Sequence, residues 1–211
     1  MANKRTIALT SDQYKLIIDT LRQGFAGCRP NNRVATILVL EANLGLRLSD
    51  ILCLRLTSFK KEAGRYHLDI EEIKTGKPRT FTVPLEIYDY VRDYCDSNGI
   101  AKDKLIFWPR NCNNIETINK QDLKNKERAV QKQLALAVDY LGPEYLGDNY
   151  TDIGTHSFRK YFASEIYVNN NYNIVLVQQL LQHASAATTQ KYIGISTKDI
   201  EDALGKHIHL L

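Results

Sequence analysis

The stretch THSFRKYFASE, residues 155–165, sets His156 and Arg159 three positions apart, so a helix would project both toward one point, with Lys160 beside them. A point faced by such groups suits an anion. Four other residues bring related chemistry: Arg47 in GLRLSD, Lys74 in the turn IKTGK, His183 in LLQHAS, and Tyr192 nine residues later in TTQKYIG. Each has an ordinary reading when taken alone. An arginine ahead of a helix commonly pairs at the surface, a hairpin lysine is commonly solvated, and a histidine closing an apolar helix commonly caps it. Tyr192 is one of 12 tyrosines, and simple packing would explain it.

The elements that must carry these residues follow from periodicity. From Thr10, apolar positions Tyr14, Ile17, Ile18, Leu21 and Phe25 recur at helical spacing behind a Thr/Ser cap, and the stretch from Asn32 to Asn43 reads as a second helix through Val34, Ile37, Leu38 and Leu40. Gly45 interrupts the pattern, and Ser49 is expected to cap a short helix bearing Ile51, Leu52 and Leu54, with Arg47 just ahead of it. Between Phe59 and Pro84 the period falls to two. There RYHLDIEEI and RTFTVP flank KTGKP, whose glycine and proline are turn residues, which predicts a small antiparallel sheet. Helices are expected again from Leu85 to Asn98, closed by Gly99, and from Asn119 to Leu141, before Gly142 and Pro143. The THSFRKYFASE helix, NIVLVQQLLQ, a short SAATTQKYIG segment and an amphipathic stretch from Thr197 to His207 complete the chain. The expected fold is mainly α with a small inserted antiparallel β-sheet, an α+β class, in a single domain.

With 211 residues, 44% hydrophobic and 25% charged, the chain can bury one sizeable core. It has no run of about 18 apolar residues, and MANKRTIALTSDQ lacks the apolar stretch of a signal peptide, so a cytoplasmic protein with no membrane partner is expected. Cys28, Cys53, Cys95 and Cys112 form no C-x-x-C pair and read as reduced packing residues. A net charge of +4 permits a nucleic-acid partner without demanding one. Basic residues gather at Lys60, Lys61, Lys74, Lys77 and Arg79, and again at Lys120, Lys124, Lys126, Arg128 and Lys132. Acidic residues interrupt both groups, so each fits a solvated face as well as a phosphate-binding stripe.

Taken together and in order, the segments LGLRLSD, IKTGKPRTFTVP, THSFRKYFAS and LLQHASAATTQKYIG resemble the catalytic domain of the tyrosine recombinases, or phage integrases, from about Thr10 to Tyr192. The resemblance implies catalytic roles for Arg47, Lys74, His156, Arg159, His183 and Tyr192. It also implies a reaction: a tyrosine attacks a DNA phosphodiester, leaving a 3′-phosphotyrosyl link and a free 5′-hydroxyl. The residue types suit that chemistry. Charge builds on the nonbridging oxygens as phosphorus becomes five-coordinate, and the guanidiniums of Arg47 and Arg159 offer fixed forks that match two oxygens each. His156 and His183 would add hydrogen bonds at the same phosphate. Tyr192 would be the nucleophile, His183 could take its proton, and Lys74 would protonate the departing 5′ oxygen. One phosphoester is exchanged for another, so no metal or nucleotide cofactor is implied.

The same resemblance implies double-stranded DNA as partner, self-association on DNA into a tetrameric synapse, and encoding by a bacterium, a phage or another mobile element. Lys60, Lys77, Arg79 and Lys124 are expected DNA-phosphate contacts. Residues 1–211 are expected to form one catalytic domain, with no N-terminal core-binding domain in this chain. The tail 197–211 is expected to pack on a neighbouring subunit or on its own domain. Many relatives have glycine before the second histidine, where this chain has Gln182. Three alternatives use the same features. A type IB topoisomerase would cut and reseal one strand, and a regulator would keep the fold without the chemistry. A metal-dependent nuclease would use His156, His183, His207 and His209, but no acidic cluster at ligand spacing accompanies them.

Overall fold

A computed structural model describes residues 6–109, 119–182 and 185–193. Helix α1 (Ser11–Gln23) starts where Thr10 and Gln13 satisfy each other's backbone N–H groups through their side chains, a capping box. Helix α2 (Asn32–Leu44) is capped by Asn31, whose Oδ1 accepts from the Val34 N–H at 3.1 Å. It is the centre of the molecule, buried from Val34 through Ala42, and it packs against α1 and against the later helix α6 (Thr155–Asn169). Its buried residues fall on every side of the helix, as expected of one enclosed all round, and two of them, Thr36 and Glu41, are polar.

Gly45 ends α2 in the left-handed region, at φ 58°. Besides that conformation, the position demands the absence of a side chain, because a Cβ there would stand 2.5 Å from the Phe162 ring of α6. The chain therefore turns sharply, and Arg47 adopts extended backbone (φ −76°, ψ 152°) as the residue flanking α3 (Leu48–Leu52). This corrects the expected cap: Ser49 lies inside α3, and Arg47 holds the N-cap position without a side-chain cap bond. Leu48 is buried at the first helical position, which draws the helix start back.

Strands β1 (Phe59–Glu62), β2 (Arg65–Glu71) and β3 (Pro78–Val83) form an antiparallel sheet in the order β1-β2-β3, with Phe59 opposite Leu68 and Leu68 opposite Phe81. Leu68 is fully buried and anchors one face of the sheet to the core. Helices α4 (Leu85–Ser97) and α5 (Lys120–Leu146) follow. Helix α5 runs past its expected end: Gly142 breaks the helical geometry (φ 63°, ψ −170°), and helix resumes from Pro143, a residue suited to a first helical turn. Helices α7 (Ile174–Leu181) and α8 (Ala186–Ile193) pack on α6 through a small second cluster in which Ala163, Val177 and Leu181 are buried against Phe162, Ile166 and Tyr192.

Gln182 closes α7 in the left-handed region at φ 52°, a conformation that glycine adopts without strain and glutamine does not. The Gln-for-Gly difference therefore falls where backbone freedom matters. Cys28, Cys53 and Cys95 are free thiols, while Cys112 lies outside the described residues. Among the described residues no helix is long and apolar enough to cross a membrane. The architecture is mainly helical with one three-stranded antiparallel sheet, as the periodicity predicts.

Candidate active site

Helix α6 buries the Arg159 of its second turn and sets His156 of its first turn, which is exposed, against Tyr192 of α8. Ser157 secures its start, its Oγ accepting from the Gly154 N–H at 3.1 Å. Arg159 is only 1% exposed, and its Nη2 donates to the Leu181 carbonyl at 3.3 Å. The same guanidinium acts on Tyr192, its charge and a side-chain hydrogen bond both pulling the phenol down. Its Cζ lies 5.9 Å from the centre of the Tyr192 ring, and Lys160 Nζ lies 5.8 Å from the same ring.

Tyr192 reaches this point from α8, and its Oη stands 2.9 Å from His156 Nε2, with the two rings edge to face. Burial pushes the Tyr192 phenol up to about 12, Arg159 and Arg47 acting the other way. His156 moves oppositely. Removal from water and the positive charges of Arg159, Lys160, Arg47 and Lys74 bring it down to about 4. His156 is exposed to solvent, which weakens the burial contribution, but all four cations act in the same direction. The imidazole is neutral at physiological pH and can accept a proton from the phenol.

Arg47 enters from the start of α3, 22% exposed, with Nη1 2.7 Å from Glu72 Oε2 and 4.0 Å from Asp50 Oδ2. Lys74 sits exposed in the turn joining β2 to β3. The Ile73 N–H ties that turn to α3, donating to Asp50 Oδ1 at 2.9 Å, and within the turn Thr75 Oγ1 donates to Glu72 Oε2 at 2.8 Å. Burial raises the Glu72 carboxyl, but Thr75, Arg47 and Arg79 outweigh it and hold the group below its ordinary value. Asp50 is raised, burial outweighing its bond to Ile73 and the charge of Arg47.

The structure brings five of the six expected catalytic residues, Arg47, Lys74, His156, Arg159 and Tyr192, into one electrostatic neighbourhood. His183 lies outside the described residues, as does the tail 197–211. Among the expected phosphate contacts, Lys77 and Lys124 are exposed, and Lys60 is exposed but paired with Asp69 at 2.7 Å. Arg79 requires correction. It is 3% exposed, donates to the Leu180 carbonyl, and lies 3.7 Å from Glu72 Oε1, so it belongs to the interior of the charge network instead of an exposed phosphate stripe. Its place on a strand facing the end of α7 accounts for this.

Three acidic residues of the site escape a reading of basic residues alone: Asp50, Glu72 and Glu41. Asp50 falls three residues after Arg47, and Glu72 two before Lys74, spacings that could have marked both. Glu41 has no such marker; it is fully buried in α2, and neither carboxyl oxygen makes a hydrogen bond. Burial raises it well above the ordinary carboxylate range against the pull of Arg159.

The model of the phage integrase family matches residues 8–198. This chain belongs to the phage integrase family. Among curated relatives, the integrase-family match with tyrosine recombinase XerA of Pyrococcus furiosus is 25% identical over 199 residues, covering 93% of this chain and 60% of XerA. The probable integrase/recombinase YoeC of Bacillus subtilis is 28% identical over 169 residues, covering 78% of this chain and 79% of YoeC. Its fold is that of solved integrase-family structures. The XerA recombinase superposes with a TM-score of 0.62 at 18% identity, covering all of this chain and 67% of XerA. The XerH recombinase bound to a palindromic difH substrate gives 0.63 at 19%, covering 96% of this chain and 53% of XerH. The catalytic domain of bacteriophage HP1 integrase gives 0.52 at 17%, with 96% of each chain covered.

Proposed function

We propose that this integrase-family chain cuts and rejoins DNA strands through Tyr192, acting as a site-specific recombinase. The contact that carries the reading is Tyr192 Oη at 2.9 Å from a neutral His156 Nε2, beside the guanidinium of Arg159. Oη attacks the phosphorus, the P–Oη bond forms, and the bond from phosphorus to the 5′ oxygen breaks. The phenolic proton passes to His156, and a proton from Lys74 goes to the departing 5′ oxygen, leaving a 3′-phosphotyrosyl link and a 5′-hydroxyl. Arg159 and Arg47 neutralise the nonbridging oxygens in the five-coordinate transition state. His183 adds a hydrogen bond to that phosphate in this reading. No metal or nucleotide enters the balance.

The substrate is double-stranded DNA, and exchange between partners requires assembly of several copies on it, a tetramer in this reading, with the tail 197–211 as a candidate contact. The names of the relatives, recombinases and integrases, favour strand exchange over simple resealing by a topoisomerase. Covalent trapping tests the proposal. A nicked suicide duplex made from the element's own ends should yield a protein–DNA adduct that maps to Tyr192, and an adduct on another residue would refute it.

A further inference from the structure

Lys74 and Arg47 sit on different elements, a sheet turn and a helix start, yet the reaction needs both at one phosphate. Asp50 reaches both, through the Ile73 N–H and at 4.0 Å from Arg47 Nη1, and Glu72 makes the closer contact to Arg47. Glu72 is 2% exposed and stands at the base of the turn, where its carbonyl accepts from the Gly76 N–H at 2.8 Å and its own N–H donates to the Lys77 carbonyl at 2.9 Å. Its Oε2 lies 2.7 Å from Arg47 Nη1 and accepts from Thr75 Oγ1 at 2.8 Å, while its Oε1 lies 3.7 Å from Arg79 Nη1. Arg79 in turn donates to the Leu180 carbonyl at the end of α7, next to the Leu181 carbonyl that receives Arg159.

We propose that Glu72 is a positioning residue that sets the Lys74 turn and the Arg47 fork in a common geometry. This rests on the function proposed above. Without the carboxylate, three neighbouring guanidiniums, Arg47, Arg79 and Arg159, repel one another, with Asp50 and Glu41 as the remaining acidic neighbours. Arg47 then loses its closest anchor, and the turn loses its link through Thr75. A carboxylate has two equivalent oxygens, so it serves Arg47 and Thr75 on one side and Arg79 on the other. An amide has one acceptor and cannot serve both sides.

Glu72→Gln tests this because it keeps size and shape, and thermal melting confirms that the variant folds. Its cleavage of the nicked suicide duplex should fall about 30-fold, in the range that a misplacement of catalytic groups produces. A duplex with sulfur replacing the bridging 5′ oxygen needs little help from a general acid, so it bypasses the Lys74 arm and leaves the Arg47 arm impaired. The Glu72→Gln deficit should therefore shrink to about 5-fold, while Thr75→Val, which severs the turn alone, should be restored to within about 2-fold of wild type. Full restoration of Glu72→Gln by sulfur would assign Glu72 to the turn only, and no restoration would assign it to Arg47 only. Either result overturns the coupling, as does a deficit below 2-fold with the oxygen substrate. The underlying function is read separately, from the wild-type adduct and from sulfur rescue of Lys74→Ala.

Discussion

Tyr192 Oη and His156 Nε2 stand 2.9 Å apart although 36 residues separate them, so a phenol and an imidazole from distant parts of the chain share one hydrogen bond. Burial keeps the phenol protonated, up to about 12, and burial with four cations keeps the imidazole neutral, down to about 4. A proton donor and a vacant acceptor are thus held in contact before any substrate arrives. The cationic surroundings that disfavour imidazolium at rest would be partly neutralised by a bound phosphate, which makes proton transfer easier when the phosphate is present.

Replacing Tyr192 by phenylalanine removes the hydroxyl while keeping the ring in its cluster with Ala163, Val177 and Leu181. DNA binding should stay within about 2-fold of wild type, because the ring contacts and the surrounding cations persist, and covalent adducts should be absent. Gel-shift and denaturing-gel assays on the same duplex check both. An adduct on Tyr161, Tyr167 or Tyr172 in the wild type would remove Tyr192 from its role.

Arg47→Ala and Arg159→Ala should each slow cleavage and rejoining about 100-fold or more, because both directions pass through the same charged transition state. Lys74→Ala should slow cleavage comparably, but a bridging 5′-sulfur substrate should recover most of that loss and little of the arginine losses. Single-turnover rates for the three variants on the two substrates decide it. Equal recovery in all three would exclude Lys74 as the acid.

The pH profile reports the His156 contact. With His156 neutral above about pH 4, wild-type cleavage should vary little between about pH 6 and pH 8. His156→Gln leaves a phenol near 12 to ionise unaided, so its rate should rise about tenfold per pH unit over that interval. A flat profile in His156→Gln would show that another group receives the proton.

Glu41 gives a stability test with a defined sign. Its folded-state value is raised above the ordinary 4.5, so its contribution is fully present below that value and is lost as pH rises through the raised one. Glu41→Gln, similar in volume and unable to ionise, should gain on the wild type as pH increases from 5 to 8, by at most about 1.4 kcal/mol per pH unit. Chemical denaturation across that interval measures the difference. Parallel curves would mean that Glu41 holds the same number of protons folded and unfolded across the interval, so that its folded-state value is not raised into it.

The residue types of the site were legible in the chain itself. Arg47 after the Gly45 break, Lys74 in a Gly/Pro turn, the three-residue spacing of His156 and Arg159, and Tyr192 nine residues after His183 are local signals, carried by turn chemistry, helical period and order along the chain. The mainly helical fold with its small sheet followed from the same periodicities. Local pattern failed where a position is decided by what packs on it: Leu48 needs burial, so α3 begins before Ser49, and Arg79 meets the end of α7, so it is interior. Pairings across long sequence separations were likewise left to tertiary structure. His156 meets Tyr192 because α8 packs on α6, Glu72 meets Arg47 because the sheet turn packs on α3, and Glu41 falls near Arg159 because α2 packs on α6. Charge and hydrogen-bonding type belong to the residue, whereas distance, burial and the resulting proton affinity belong to the packed neighbours.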